Sequence, residues 1–550
     1  MGFDALFRNY LLEDAEECAR FCLERQIPAG AAKGGSYPEP DILTPPFPRN
    51  SSTRLLKMIT AWLNPESVFY QDPRIIRSGL EALAFLRSEQ RPSGNIDLYD
   101  CNFDSAPDSG FLLWDLIPLS RLLKKTGDKA AGELREGVEA LVSSALEGLR
   151  AGGFHTANHR WVISSALAAG FNITGNRAYL ARAEQYLAEG VDCNEDGEYS
   201  ERSAIYNAVN NDAMIMLYEE LREEKYLKYV QRNLRMMLHF FESDGSLFTE
   251  NSTRQDRGRK MFAGRYIYQY LYIARYLGDG EAARVAAWIA GDYLKNRHLP
   301  APDCLYALTL HQELKFPEGE GADEVFRLPD CNRYFKSSGL VRCRQDRFTY
   351  SLLSDNPKWL CFSAGALSGC CKISLGYFSY GNVRIGEPEI LSDGYRFSFR
   401  AEAHYFEPLD KADGGIINFR REDHSVRRQQ HPNRSALDIR LRHRKGGVDI
   451  TFTGSECTGV SYCFEFVLPA ELPALGEHFA LRPKPGDYVL LKDGSLTVSD
   501  GRDALKISGG FASRDIFATS RNGLPRSADG FTLYMNGTVP FCQSVSIEAV

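Results

Sequence analysis

Near residue 330 the spacing of apolar residues changes from a helical period to a period of two, and one layer of secondary structure cannot serve both. Before that point, apolar residues recur three and four apart in Ala5–Arg25, Ser52–Leu63, Arg74–Arg87, Gly110–Lys125, Ala130–Leu149, His159–Gly170, Arg177–Ala188, Ser203–Glu223, Lys225–Phe241, Phe262–Tyr276, Glu281–Lys295 and Pro302–His311. Gly127 and Gly278 follow two of these runs and Asn176 precedes another, which are ordinary stop and start signals. No fixed repeat of ~34 or ~40 residues is present, so a solenoid is not expected. The helices instead pair as hairpins that close into a ring, with loops at one end framing a pocket. After Cys331, stretches such as RFTYSLLSD, GYRFSFRAEAHYFE and SYCFEFVLP alternate, and Arg444-Lys445-Gly446-Gly447 and Lys492-Asp493-Gly494 read as hairpin turns. Almost no helix intervenes, which favours antiparallel pairing. The expected architecture is an N-terminal (α/α)6 toroid over 1–325 and a C-terminal antiparallel β-sandwich over 326–550.

Composition narrows the function. The 550 residues carry 65 Lys+Arg against 72 Asp+Glu, a net charge of -7, which disfavours a general nucleic-acid binder. The longest apolar stretch, Leu360–Cys371, is too short and too rich in Gly and Ser for a membrane span. The first twenty residues carry acids where a secretory signal has a basic start, so a cytoplasmic location is expected and the Asn-x-Ser/Thr matches at Asn50, Asn172, Asn251, Asn433 and Asn536 carry no weight. The 13 cysteines are odd in number and irregularly spaced, without paired CxxC motifs, so neither a zinc site nor any cofactor is expected. Edge strands of the sandwich offer surfaces for a homo-oligomer.

Four polar segments interrupt the helical pattern, where a rigid scaffold tends to carry function. The first, Asn102–Gly110, holds Asp104 and Asp108; Asp108 also reads as a helix cap, and Asp104 as a turn residue. The second, Gly152–Trp161, gathers His155, Asn158, His159, Arg160 and Trp161. Asn158 can cap a helix, but capping does not call for the other four. The third, Glu195–Asp212, contains Glu198, Tyr199, Glu201, Tyr206 and Asn210. Tyrosines at helical spacing are commonly core, yet Asn207, Asn210, Asn211 and Asp212 within one helix need partners or a wet cavity. The fourth, Asp244–Lys260, followed by Arg265, is the most basic stretch; Arg254, Arg257 and Arg265 suit carboxylate capture, and a solvated loop is the plain alternative. Tyr266, Tyr268, Tyr270, Tyr272 and Tyr276 follow, divided between sugar stacking and core. There is no GxGxxG after a strand, no Walker loop, no GxSxG elbow and no Asp-rich motif of a terpene cyclase.

Asn158-His159, followed by Asp196-Gly197-Glu198-Tyr199-Ser200-Glu201 and Tyr206 in a toroid-plus-sandwich chain, resembles the heparinase II/III-like superfamily, enzymes that act on uronic-acid glycans. The resemblance implies that Asn158 and His159 neutralise a uronate carboxylate. Tyr206 or Tyr199 would then move the C5 proton, with His311 as the assisting histidine. Bacterial exo-acting β-glucuronidases share the architecture, and the loops Asn102–Gly110 and Asp244–Asp256 resemble that branch. The leading expectation is therefore an exo-β-glucuronidase, a glycoside hydrolase using Asp104, Asp108, Glu198 and Glu201. The alternatives are a lyase working by β-elimination and a non-catalytic carbohydrate-binding protein. The hydrolase and lyase readings both take a uronic-acid oligosaccharide as partner and place Asn158, His159, Arg160 and the Arg254–Arg265 loop near its carboxylate, with His155, Trp161 and Asn210 among the substrate-binding residues.

Overall fold

A computed structural model describes residues 2–39, 44–317, 326–409, 423–513 and 521–550. The chain separates into two compact units, Met1–Phe240 with Gly245–Arg327, and Phe241–Asp244 with Leu328–Val550. The boundary expected at 325/326 adjoins residues outside the described set.

Among the described residues the first unit has twelve α-helices: α1 (Phe3–Arg25), α2 (Pro48–Leu63), α3 (Pro73–Glu89), α4 (Ala106–Leu123), α5 (Lys129–Ala151), α6 (Ala157–Thr174), α7 (Arg177–Leu187), α8 (Ala204–Leu221), α9 (Lys225–Met237), α10 (Tyr266–Leu277), α11 (Gly280–Asn296) and α12 (Leu305–Leu310). The even-numbered helices α2, α4, α6, α8 and α10 pack in succession, and α12 packs on α2 and α4. Odd-numbered helices lie outside them, and α1 against α11 joins the first to the last. Sequence composition follows this layering. Helices α4 and α6 are apolar on every face because they are enclosed, whereas α5 and α9 are amphipathic. Small residues permit the close approach: a Cβ at Gly110 of α4 would sit 2.9 Å from Val162 of α6.

Among the described residues the second unit forms two nine-stranded sheets. One runs Tyr488–Leu490, Gly530–Thr538, Ser461–Pro469, Leu367–Leu375, Leu360–Ala364, Phe348–Leu353, Leu340–Gln345, Cys331–Phe335, with Gly381–Asn382 off the path. The other centres on Gly394–Phe406, Gln429–Arg444, Gly447–Ser455 and Phe541–Ala549. Alternating residues of both sheets, among them Phe397, Ile439, Ile450, Phe464 and Leu533, form one apolar core. The pairing is antiparallel as expected, except that Tyr488–Leu490 lies parallel to Gly530–Thr538. That short strand reaches its partner through a long connection, so no hairpin constrains its direction.

The asparagines of α8 are explained by a buried network. The Tyr199 hydroxyl donates to Asn211 Oδ1 (3.1 Å), and Asn211 Nδ2 donates to Asn233 Oδ1 (2.8 Å) and Gln269 Oε1 (2.9 Å). Gln269 Nε2 donates to Asp212 (2.7 Å), and Asn233 Nδ2 to the Gly197 carbonyl (2.8 Å). These bonds tie α8, α9, α10 and the turn at Gly197 together. Gly197 has φ +101°, and a Cβ there would lie 2.4 Å from the Arg232 carbonyl, so the turn requires glycine. Asn211→Ala would strand three buried partners, and a loss of about 2–4 kcal/mol is expected in urea unfolding. A loss below about 1 kcal/mol would mean that water replaces the amide and the network is not structural.

Candidate active site

The residues around Tyr206 are held by one buried carboxylate. Ser203 caps α8, its hydroxyl accepting from Tyr206 N, and places Tyr206 in the first turn. Asp256, fully buried, accepts from Ser203 Oγ (2.9 Å), Ala204 N (2.9 Å) and Ser252 Oγ (2.6 Å). This clamps the 252–256 loop onto the start of α8. Arg254 Nη2 and Gln255 Nε2 consequently both donate to the Tyr206 hydroxyl, at 3.3 and 3.2 Å. The Arg254 guanidinium also lies 4.5 Å from the Tyr206 ring centre.

The same arginine meets Glu201 Oε1 at 3.2 Å, and Asn158 Nδ2 donates to Glu201 Oε2 at 2.7 Å. Burial raises the Glu201 carboxyl above its usual range, against the lowering effect of Asn158 and Arg254. Thr156, not Asn158, caps α6, so the Asn158 amide is free to turn inward to Glu201. His159 is buried, its Nδ1 has no hydrogen-bond partner, and His155 packs edge-on against it at 4.8 Å. Burial first, then the neighbouring His155, pulls the His159 imidazole down to about 4, so it is neutral at pH 7. Asp108 opposes that shift from the start of α4, where Ser105 is the cap. Its carboxylate accepts from Ser105 Oγ (2.6 Å) and Asn102 Nδ2 (2.9 Å).

Beside this cluster the first unit encloses a cavity of about 490 Å³, lined by Arg49, Lys57, Phe111, Trp114, Asp115, Ile205, Asp212, Arg265, Tyr266, Tyr268 and Tyr306 among others. Its carboxylates are engaged. Asp115 accepts from Ser52 Oγ (2.6 Å) and Thr53 Oγ1 (2.8 Å), Asp212 from Gln269, and Asp303 faces Lys57 at 3.9 Å. Burial pushes Asp115 up to about 7 and Asp212 up to about 6, while Arg265, 3.7 Å away, lowers the latter. A larger depression of about 690 Å³ lies on the β unit, where two of the lining arginines, Arg347 and Arg444, are paired with Asp503 and Glu548.

Several residues singled out in the sequence lie elsewhere than expected. Tyr199 is core, 1% exposed and bonded to Asn211, so its phenol cannot reach a solute. Trp161 is fully buried with its indole N–H on Asp192 (2.8 Å), and Arg160 stacks over it while pairing with Glu189 (3.0 Å) and Asp192 (3.3 Å). Both are withdrawn from the cavity because the 189–192 segment supplies their partners. Asp104 is exposed, has φ +49°, and accepts from Ser93 and Asn95 in a small hairpin. Asp108 and Asn158 are first-turn residues rather than caps. Glu198 is tied to Asn251 (2.7 Å) and Arg202 (3.6 Å), and Asn210 is buried with its carbonyl oxygen lacking a partner. Arg257 is exposed. His311 pairs with Glu219 (3.0 Å) and Glu313 (3.6 Å) and packs on Tyr272, apart from Tyr206. Sequence reasoning missed Arg49, Asp115 and Trp114, and passed over Gln255 and Asp256 inside a loop it had marked. No group of three or more His, Cys, Asp or Glu among the described residues has metal-binding geometry, and no described helix is long and apolar enough to cross a membrane.

No protein-family model matches the sequence, and no curated protein matches it significantly. Solved structures match over almost the whole chain. Heparinase III aligns at 11% identity with a TM-score of 0.58, covering 98% of this chain and 85% of that one. Paenibacillus xanthan lyase aligns at 10% identity and 0.57, covering 99% and 59%. A mutant of the heparan sulfate lyase HepC from Pedobacter heparinus aligns at 11% and 0.53, covering 97% and 82%. At these identities the likeness is one of fold. The chain shares with these solved structures an α-helical toroid followed by an antiparallel β-sandwich.

The raised carboxyl of Asp115 gives a pH signature. Folded, it holds its proton up to about pH 7, whereas an unfolded aspartate releases it near 3.8. Its stabilising contribution is therefore complete at low pH and lost as pH rises through 7. Thermal melts of Asp115→Asn are expected to gain on wild type as pH goes from 5 to 8; a pH-independent difference would contradict the buried assignment.

Proposed function

We propose that the protein is a lyase that breaks glycosidic bonds at uronic-acid residues by β-elimination. The observation that carries this reading is the Tyr206 hydroxyl. It receives N–H groups from Arg254 and Gln255, and among the described residues no protein group accepts its own proton. Two donors on the phenol oxygen, one of them cationic, fix its position and set positive charge beside the atom that would exchange the proton. Tyr206 would take the C5 proton of the uronate as the C4–C5 double bond forms and the C4–O bond breaks. The phenol then returns the proton to the departing oxygen. The neutral His159 contributes a hydrogen bond beside the sugar, Arg254 supplies positive charge, and Asn158 holds Glu201 in place. The enzymes whose fold this chain shares are named as lyases of heparan sulfate and xanthan, which supports the same chemistry and an anionic polysaccharide or oligosaccharide substrate.

The exo-β-glucuronidase reading has one specific support, the raised carboxyl of Glu201, as a general acid requires. Against it, Asp104 lies exposed in a hairpin, and one oxygen each of Asp108 and Glu198 is engaged by protein donors, which gives these carboxylates structural roles.

Incubation with heparan sulfate, chondroitin, xanthan and polygalacturonate, followed by near-ultraviolet absorbance of the unsaturated product, tests the proposal. Tyr206→Phe is expected to lose at least ~10³-fold in kcat while keeping its melting temperature. A Tyr206→Phe enzyme of near-normal rate, with Glu201→Gln inactive on p-nitrophenyl β-glucuronide, would favour hydrolysis instead.

A further inference from the structure

Elimination at a uronate requires its carboxylate to be neutralised, because the developing carbanion adds to a charge already present. Around Tyr206 most groups suited to that task are committed. Asn158 has given its amide to Glu201, His159 is uncharged at neutral pH, and Arg254 is shared between Glu201 and Tyr206. In the cavity, Lys57 is held by Asp14 at 2.9 Å, and Arg265 faces Asp212.

Arg49 is different. It follows Pro48 in the first turn of α2, and its guanidinium lies 4.0 Å from the centre of the Phe111 ring on the cavity wall. Its side chain has no hydrogen bond or ion pair with any described residue, although Asp108, Asp115, Arg265 and Tyr206 are near enough to act on its charge. His159 likewise responds to it. Asp115, the acid with most effect on it, is satisfied by the hydroxyls of Ser52 and Thr53. A guanidinium stacked on an aromatic ring, desolvated and without an acceptor, presents a planar fork for a bidentate oxyanion. A half-buried cation left this way is unfavourable unless a ligand completes it.

We propose that Arg49 is the specificity-determining residue that takes up the acidic group of the sugar bound beside Tyr206. The inference rests on the reading that the cavity holds a sugar acid. The shared chemistry is a carboxylate or a sulfate on a pyranose, and Phe111 orients the fork by holding the guanidinium plane.

Calorimetric titration of the full-length protein tests this without turnover. The probes are a saturated glucuronate-containing disaccharide, its methyl ester, and a disaccharide without uronate whose one charge is an O-sulfate. Wild type is expected to bind one of the two anionic sugars at least ~10-fold more tightly than the ester, and which of them identifies the anion. Arg49→Met should erase that preference while binding the ester as before. Arg49→Gln, which keeps polarity without charge, serves if Arg49→Met unfolds. Equal affinities in wild type, absence of binding by all three sugars, or a preference that survives both substitutions would overturn the proposal. If the preference depends on Arg49 but no unsaturated product ever forms, elimination fails and the Arg49 assignment stands. If product forms and the preference ignores Arg49, the reverse holds.

Discussion

The carboxylate of Asp256 is the contact on which the site depends. It lies in a basic loop, yet it is fully buried and accepts from Ala204 N–H and the Ser203 hydroxyl at the start of α8 and from the Ser252 hydroxyl of its own loop. A buried carboxylate is tolerable only when its oxygens are supplied with donors, so the loop has one seated position. That position delivers Arg254 and Gln255 to the Tyr206 hydroxyl, and Arg254 in turn reaches Glu201 and through it Asn158. Residues about fifty positions apart in the chain thereby act as one group.

Burial sets the charge states around this group. It holds His159 neutral, keeps Asp115 close to half-protonation near neutral pH and raises Asp212 to about 6. The cavity therefore carries more positive charge than its list of side chains implies. An anionic sugar entering it meets cations whose neighbouring acids are partly silenced, and the low dielectric strengthens what attraction remains. Tyrosines and Trp114 on the same wall offer faces for the ring carbons of a sugar.

Much of the fold is legible in the sequence because period is a local property. The twelve helical runs and the switch near residue 330 needed only the spacing of apolar residues, and the helices observed follow them. Asn158, Glu201, Tyr206 and Arg254 were also visible, as polar residues in places where helices and loops alone do not require them. What escaped notice was long-range pairing. Tyr199 and Tyr206 look equivalent in the sequence, but a hydrogen bond to Asn211 makes the first a core residue. Trp161 and Arg160 read as site residues until Asp192 is seen to claim both. Arg49, behind a proline-rich loop, is distinguished by what it lacks, and a missing partner leaves no trace in a sequence.

The central claim is that this site eliminates rather than hydrolyses. The most direct measurement runs the reaction on a uronate oligosaccharide in water enriched in oxygen-18 and weighs both products by mass spectrometry. The account predicts products free of heavy oxygen, the new non-reducing end lighter by one water than its hydrolytic counterpart. Incorporation of one heavy oxygen per bond broken would show that water attacks, and would contradict the role given to Tyr206.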